Sequence, residues 1–248
     1  MLRNNLISTV AVLALWQLVA IANIFNGIYF ASPLETALEG VKLLGQGDIY
    51  KDCFFTLGRV AISLGFSVLI GVPLGIMLGY SVKLRQLFSP PINFLCSIPP
   101  IVFYPLLLIS LGAGETSRIA TAILGSFVVI VLIVSKGLIQ QQQIRVDYFS
   151  ALGAKKFQLF KDIIWYEALP GIMIALRAAA SWTVIIVIVT EMLVGPKFGL
   201  GARVQSVQLY SNIPDLFFTI ILIGLIGIGL NYLIERLDRK IVFWKTDG

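Results

Sequence analysis

Residues 168–194 read ALPGIMIALRAAASWTVIIVIVTEMLV, a run in which only Arg177 and Glu191 are ionisable. About 20 mainly apolar residues cross the hydrocarbon core of a bilayer as a helix, so this stretch predicts a membrane span. Working outward from it, comparable runs occupy about 6–25, 54–80, 92–111, 119–138 and 216–234. In hydrocarbon every backbone polar group must be paired within the protein, which helices do segment by segment. The expectation is therefore an all-α polytopic membrane protein with six transmembrane helices, forming one transmembrane domain over residues 1–248.

Composition agrees. Of 248 residues 58% are hydrophobic and only 13% charged, against about a quarter charged in soluble chains, and the mean hydropathy is +0.91. That balance excludes a water-soluble globular domain, a disordered chain and a nucleic-acid binder. The chain has no histidine, which removes the commonest metal ligand and the general base of neutral pH, so neither a metal site nor histidine-dependent catalysis is expected. Cys53 and Cys96 lack the C-x-x-C spacing of a redox or zinc site and read as packing residues. The first apolar run follows Arg3 but outlasts the 7–15 residues of a signal sequence and has no convincing small-x-small cleavage site. It reads as a retained span.

Orientation follows from the basic residues between spans. Arg3, the pair Lys83 and Arg85, the five from Lys136 to Lys161 and the four from Arg236 to Lys245 lie on one side, twelve in all; the alternate loops hold Lys42, Lys51, Arg118, Lys197 and Arg203. The positive-inside rule then puts both termini and the 139–167 loop in the cytoplasm. The external loop at 26–52 contains a helix start at Ser32-Pro33-Leu34-Glu35, with proline at the first helical position and Glu35 at capping-box spacing from Ser32.

Several residues break the lipid-facing pattern. Pro99, Pro100 and Pro105 fall within one predicted span, where each removes a backbone hydrogen bond that lipid cannot replace. Broken helices at membrane depth line translocation routes, although a packing kink would use the same residues. Pro73 between Gly71 and Gly75, and the Gly224, Gly227, Gly229 ladder, read as faces for close helix packing. Arg177 and Glu191 stand about 21 Å apart at 1.5 Å per residue, too far to pair. They face either the interior of the bundle or the two membrane surfaces. Trp182 between them fits core packing or a gate.

The cytoplasmic loop carries Asp147-Tyr148-Phe149-Ser150-Ala151-Leu152-Gly153-Ala154-Lys155-Lys156-Phe157. From there Phe157, Phe160 and Ile164 recur at helical spacing among Lys155, Lys156, Gln158, Lys161 and Asp162. This is an amphipathic helix, with Gly153 suited to a turn before it. Such a helix lies on anionic lipid or docks in a partner's groove.

This loop resembles the EAA loop of ABC-importer permeases, with its Glu-Ala-Ala, three residues, Gly, a hydrophobic stretch and Leu-Pro. Thr56-Leu57-Gly58-Arg59-Val60, Gly71-Val72-Pro73-Leu74-Gly75, Ile98-Pro99-Pro100, Leu111-Gly112-Ala113-Gly114-Glu115, Ala168-Leu169-Pro170, Leu176-Arg177, Thr190-Glu191-Met192-Leu193, Gly199-Leu200-Gly201 and Ile223-Gly224-Leu225-Ile226-Gly227 look like the nitrate, sulfonate and taurine branch. The resemblance implies a type I importer (MetI-like) fold in the cytoplasmic membrane of a prokaryote. It also implies a second copy of the permease, two ABC ATPase subunits and an extracytoplasmic solute-binding protein. No G-x-x-x-x-G-K-[ST] phosphate cradle occurs, so this chain binds no cofactor and ATP-Mg is used by the partner ATPase. Asp147, Ser150, Ala151, Gly153, Ala154, Phe157 and Phe160 would form the coupling element, and Pro99, Pro100, Pro105, Arg177, Trp182 and Glu191 the translocation pathway.

The chain departs from the family pattern in places. Asp147 stands for Glu, Tyr148 and Phe149 for the two alanines, Trp165-Tyr166 for Leu-Pro, and Cys96 for an arginine common before Ile-Pro-Pro. The last departure removes a positive charge and weakens the case for a small inorganic anion, leaving neutral or aromatic pyrimidine precursors beside the anions. The rival class is an ion-coupled secondary transporter using Arg177 and Glu191. Against it, the glycine and proline interruptions of spans two and three have no counterpart in spans five and six.

Overall fold

A computed structural model describes residues 2–22, 30–141, 158, 163–210 and 212–243. All regular structure among them is helical: α1 (Leu2–Ile21), α2 (Pro33–Gln46), α3 (Asp48–Tyr80), α4 (Val82–Ser97), a 3-10 turn (Pro100–Phe103), α5 (Tyr104–Leu111), α6 (Glu115–Gln141), α7 (Trp165–Leu193), α8 (Leu200–Tyr210) and α9 (Ile213–Ile241). Among the described residues α3, α6, α7 and α9 are long and apolar enough to cross a membrane, and α4 with the turn and α5 makes a fifth candidate bent by 88°.

The six predicted spans are thus not reproduced one for one. The run at 92–111 is two helices meeting at an extended Ile98 (φ −100°, ψ 124°). Proline explains the break: Pro99 caps the 3-10 turn that Pro100 begins, and Pro105 sits in the first turn of α5, where no intrahelical N–H bond is required. The first span corresponds to α1, whose apolar part is the shorter Val10–Ile21.

The chain divides into two compact units. One comprises residues 1–56 and 191–226, the other residues 57–190 and 227–248. The core of the second unit is the α3–α6–α7 seam, where Val72, Ile76, Ile130, Val134, Leu138, Ala168, Ala175 and Ala179 are buried together. The glycine spacing on α3 makes this seam close. A Cβ on Gly71 would stand 3.0 Å from Ile130 Cγ2, on Gly75 2.8 Å from Val134 Cβ, and on Gly79 2.7 Å from Leu138 Cβ. The glycines expected to pack around Pro73 therefore do so. The other ladder does not: among the described residues nothing lies within 4 Å of a Cβ position at Gly224, Gly227 or Gly229. Cys96 is likewise exposed and Cys53 only half-buried, so the packing role expected of Cys96 is not seen.

In the first unit α2 starts as the sequence predicts. The Ser32 hydroxyl accepts the Glu35 N–H at 3.2 Å while the Glu35 carboxylate accepts the Ser32 N–H at 2.8 Å, and Gly47 ends the helix at φ 79°. Trp16 of α1 stacks on Phe217 of α9 at 5.7 Å and donates its indole N–H to the Ala31 carbonyl at 3.0 Å. That bond satisfies the one polar group of an otherwise apolar ring.

Candidate functional site

The densest polar cluster of the first unit is built around the start of α8. A helix opens with N–H groups that have no intrahelical acceptor, and here three successive ones are taken by side chains from α3 and α7. Gly199 N–H donates to Asp52 Oδ1 at 2.9 Å, Leu200 N–H to Thr56 Oγ1 at 2.9 Å, and Gly201 N–H to Glu191 Oε2 at 2.8 Å. Thr56 Oγ1 in turn donates to the Glu191 carboxyl, 3.0 Å from each oxygen. Asp52 and Thr56 lie one helical turn apart on α3, so they present acceptors to adjacent amides. Gly199, at φ 152°, supplies a backbone angle that favours glycine.

The cluster continues through Arg203 on α8. Its Nε and Nη2 reach Asp215 at 3.0 and 2.7 Å, its Nη1 reaches Asp52 at 3.3 Å, and Thr219 donates to Asp215 at 3.1 Å. Burial works against the Arg203 charge, but the carboxylates of Asp215 and Asp52 hold its pKa above the usual arginine value. A cavity of about 180 Å³ opens beside it, with Lys197 and Ser206 completing a polar lining. Phe198 stacks on Phe55 at 5.4 Å and carries the Lys51 and Lys197 ammonium groups over its ring. The whole is a staple that ties the start of α8 to α3 and to the end of α7. Among the described residues no group of three His, Cys, Asp or Glu side chains could hold a metal ion.

Glu191, read from sequence as facing either the bundle interior or the outer surface, is fully buried and turned onto α8. Arg177 is different: 44% of its side chain is exposed and it pairs with Asp238 at 3.3 Å. Trp182 is 48% exposed, so the core-packing reading does not hold. Pro100 packs at Gly125 of α6, where a Cβ would stand 2.8 Å from its ring and also collide with Ile186 of α7. The broken segment is thus covered by protein on that side, while Pro99 and Pro105 are exposed. Asp147, Ser150, Ala151, Gly153, Ala154, Phe157 and Phe160 lie outside the described residues.

Sequence reasoning missed the partners. In the second unit Arg59 grips Glu115 through Nε at 2.6 Å and Nη2 at 2.8 Å, and Arg118 joins at 3.3 Å. Arg118, counted as a loop residue, belongs to the first turn of α6. The i,i+3 spacing of Glu115 and Arg118 was a readable signal, whereas the link to Arg59 spans 56 residues. Asp52 and Asp215 were not singled out in the sequence.

Comparison with known proteins follows from this geometry. Residues 71–243 match the family model described as binding-protein-dependent transport system inner membrane component. A probable ABC transporter permease protein of Brucella abortus is 28% identical over 243 residues, covering 97% of this chain and 95% of that protein. The taurine transport system permease protein of Escherichia coli is 28% identical over 246 residues, covering 96% and 88%. The nitrate import permease protein of Synechocystis is 28% identical over 192 residues, covering 76% and 68%. A chain from an inward-facing structure of the MetNI methionine ABC transporter superposes with a TM-score of 0.68 at 22% identity, covering 78% of this chain and 95% of that one. This likeness is one of fold.

Proposed function

The chain belongs to the family of binding-protein-dependent transport system inner membrane components, and from that premise we propose that it forms the translocation pathway of an ABC importer for small solutes of the taurine, sulfonate or nitrate kind. It is a transporter component and not an enzyme. ATP-Mg is bound and hydrolysed by two separate ATPase subunits. The permease works as a pair, each copy with both termini in the cytoplasm, and an extracytoplasmic binding protein delivers the solute. Transport proceeds by alternating access, with packed elements exchanging between two arrangements.

The observation that carries this reading is the broken span. Extended backbone at Ile98 and Pro99 between two apolar helices bent by 88° is tolerated in a membrane only where protein or a water-filled route covers it. Its packing through Pro100 against Gly125 supplies protein on one side and leaves the exposed Pro99 and Pro105 for the route. Arg177, Trp182 and Glu191 were the other pathway candidates. The half-exposed Arg177 and Trp182 fit a wetted or partner-facing surface. Glu191 fits a positioning role, because its carboxyl is already used by Thr56 and Gly201. A secondary transporter built on Arg177 and Glu191 gains no support from a pair in which each member holds another partner.

Coupling to the ATPase is assigned to Asp147, Ser150, Ala151, Gly153, Ala154, Phe157 and Phe160. The test is solute-stimulated ATP hydrolysis by the permease–ATPase complex in lipid, comparing wild type with Gly153→Pro and Phe157→Asp. Both variants should still assemble as permease dimers while losing ATPase association or stimulation. Normal transport by both would refute the coupling role.

A further inference from the structure

A second cavity, in the 57–190 and 227–248 unit, has no place in the reading above. It lies between α4 and the last turns of α6, beside the end of α3, with a volume of about 130 Å³. Arg85 and Lys136 line it together with Ser89 and Asn93, and among the described residues no carboxylate does. The Arg85 guanidinium donates one N–H to the Gly79 carbonyl at 3.2 Å, which fixes it at the end of α3 and leaves its other N–H groups for a ligand. Among the described residues neither Arg85 nor Lys136 enters a salt bridge, whereas Arg59, Arg177 and Arg203 each meet a carboxylate.

The rest of the wall is apolar, from Leu78, Ile92 and Leu132, apart from Ser135, whose hydroxyl donates to the Leu132 carbonyl at 3.1 Å. Lys136 stands five residues before the end of α6 at Gln141, about 7.5 Å at 1.5 Å per residue. The cavity is therefore at the boundary between hydrocarbon and water. Two cations, two hydroxyls and an amide, set beside an apolar wall at that depth, suit an anion that arrives attached to hydrocarbon. We propose that this cavity binds a phosphate-bearing anion, the headgroup phosphodiester of an acidic phospholipid. Arg85 and Lys136 hold the charge, Ser89 and Asn93 donate hydrogen bonds, and the glycerol and upper acyl carbons lie on the apolar side. Basic pockets between transmembrane helices hold lipid headgroups by this chemistry. Free phosphate shares the charge, but it would lose hydration against the apolar wall without compensation. With the termini in the cytoplasm, the lipid belongs to the cytoplasmic leaflet. The site does not depend on which solute is carried.

The test uses the delipidated permease–ATPase complex and reads its thermal unfolding midpoint with added phosphatidylglycerol, phosphatidylcholine or inorganic phosphate. Phosphatidylglycerol near saturation should raise the wild-type midpoint by about 5 °C. That rise should vanish in R85Q/K136Q and persist in K83Q, which removes an α4 cation that does not line the cavity. If the double variant does not assemble, K136Q alone, at an exposed position, should at least halve the rise. A rise with inorganic phosphate that the same substitutions abolish would make the ligand free phosphate and overturn the lipid assignment. An equal phosphatidylglycerol effect in wild type and variants, or an equal effect of phosphatidylcholine, would overturn the site.

Discussion

Thr56→Val removes one oxygen and preserves side-chain shape, yet two hydrogen bonds of the staple, one accepted and one bifurcated donation, pass through that oxygen. It accepts the Leu200 N–H at 2.9 Å and donates to both Glu191 oxygens at 3.0 Å, and Thr56, Glu191 and Leu200 are all fully buried. A buried donor left without its acceptor costs about 1–3 kcal/mol, and loss of a bond to the carboxyl about 1–2 kcal/mol more, so about 3 kcal/mol is expected. For a chain of this length 1 kcal/mol moves the unfolding midpoint by about 2–4 °C, which gives a fall of about 6–12 °C. The assay is thermal unfolding of the purified complex, followed by loss of the monodisperse size-exclusion peak. Thr56→Ser keeps the oxygen and should stay within about 2 °C of wild type. Glu191→Gln shares the partner, so the double variant with Thr56→Val should be less destabilised than the sum of the two singles. A Thr56→Val protein that unfolds with wild type would refute the staple as a source of stability.

Glycine substitutions should separate the two ladders. Gly75→Ala puts a methyl group 2.8 Å from Val134 Cβ and should cost about 1–3 kcal/mol by overpacking. Gly227→Ala meets nothing and should leave subunit stability unchanged or raise it by about 0.5–1 kcal/mol through helix propensity; thermal unfolding of the two variants side by side checks both. The α2 cap should respond to acid. Hydrogen bonds from the Ser32 backbone and side chain hold the Glu35 pKa below the usual glutamate value. The cap's contribution is therefore complete above the ordinary carboxyl pKa and lost as pH falls through the depressed one. Limited proteolysis of the 30–48 segment with an acid-active protease should accelerate over that window in wild type and change less in Glu35→Gln.

How much of this is legible in the sequence depends on the range of the interaction. The helices at 48–80, 115–141, 165–193 and 213–241 follow from apolar length, because a span is a local property of some twenty residues. The α2 cap is a four-residue pattern, read from the Ser32–Glu35 spacing and Pro33 alone, and it forms as read. The bend at Ile98–Pro99 was visible as prolines but was placed inside a single span, since proline chemistry marks a break without giving its angle. The Gly71–Gly75–Gly79 and Gly224–Gly227–Gly229 ladders are the instructive contrast. The first, at i, i+4 and i+8, lines one helix face and meets α6, whereas the second, at i, i+3 and i+5, spreads around its helix and among the described residues meets nothing, and the identity of a partner is not written in either ladder.

Glu191 shows the same limit at a functional candidate. Sequence placed a carboxyl within a predicted span, fourteen residues from Arg177, and weighed only a bundle interior and a membrane surface for it. The buried arrangement it adopts needs information from elsewhere: a helix that begins nine residues later and exposes N–H groups, and a threonine 135 residues earlier whose hydroxyl bridges them. A carboxyl beside the opening amides of α8 is favoured by their hydrogen bonds and by the helix dipole, so desolvation is offset without a basic partner from the same helix. The fragments Thr190-Glu191-Met192-Leu193, Gly199-Leu200-Gly201 and Thr56-Leu57-Gly58-Arg59 looked like three separate motifs in the sequence. Glu191, Thr56 and the Gly199–Gly201 amides place part of each fragment in one hydrogen-bonded assembly.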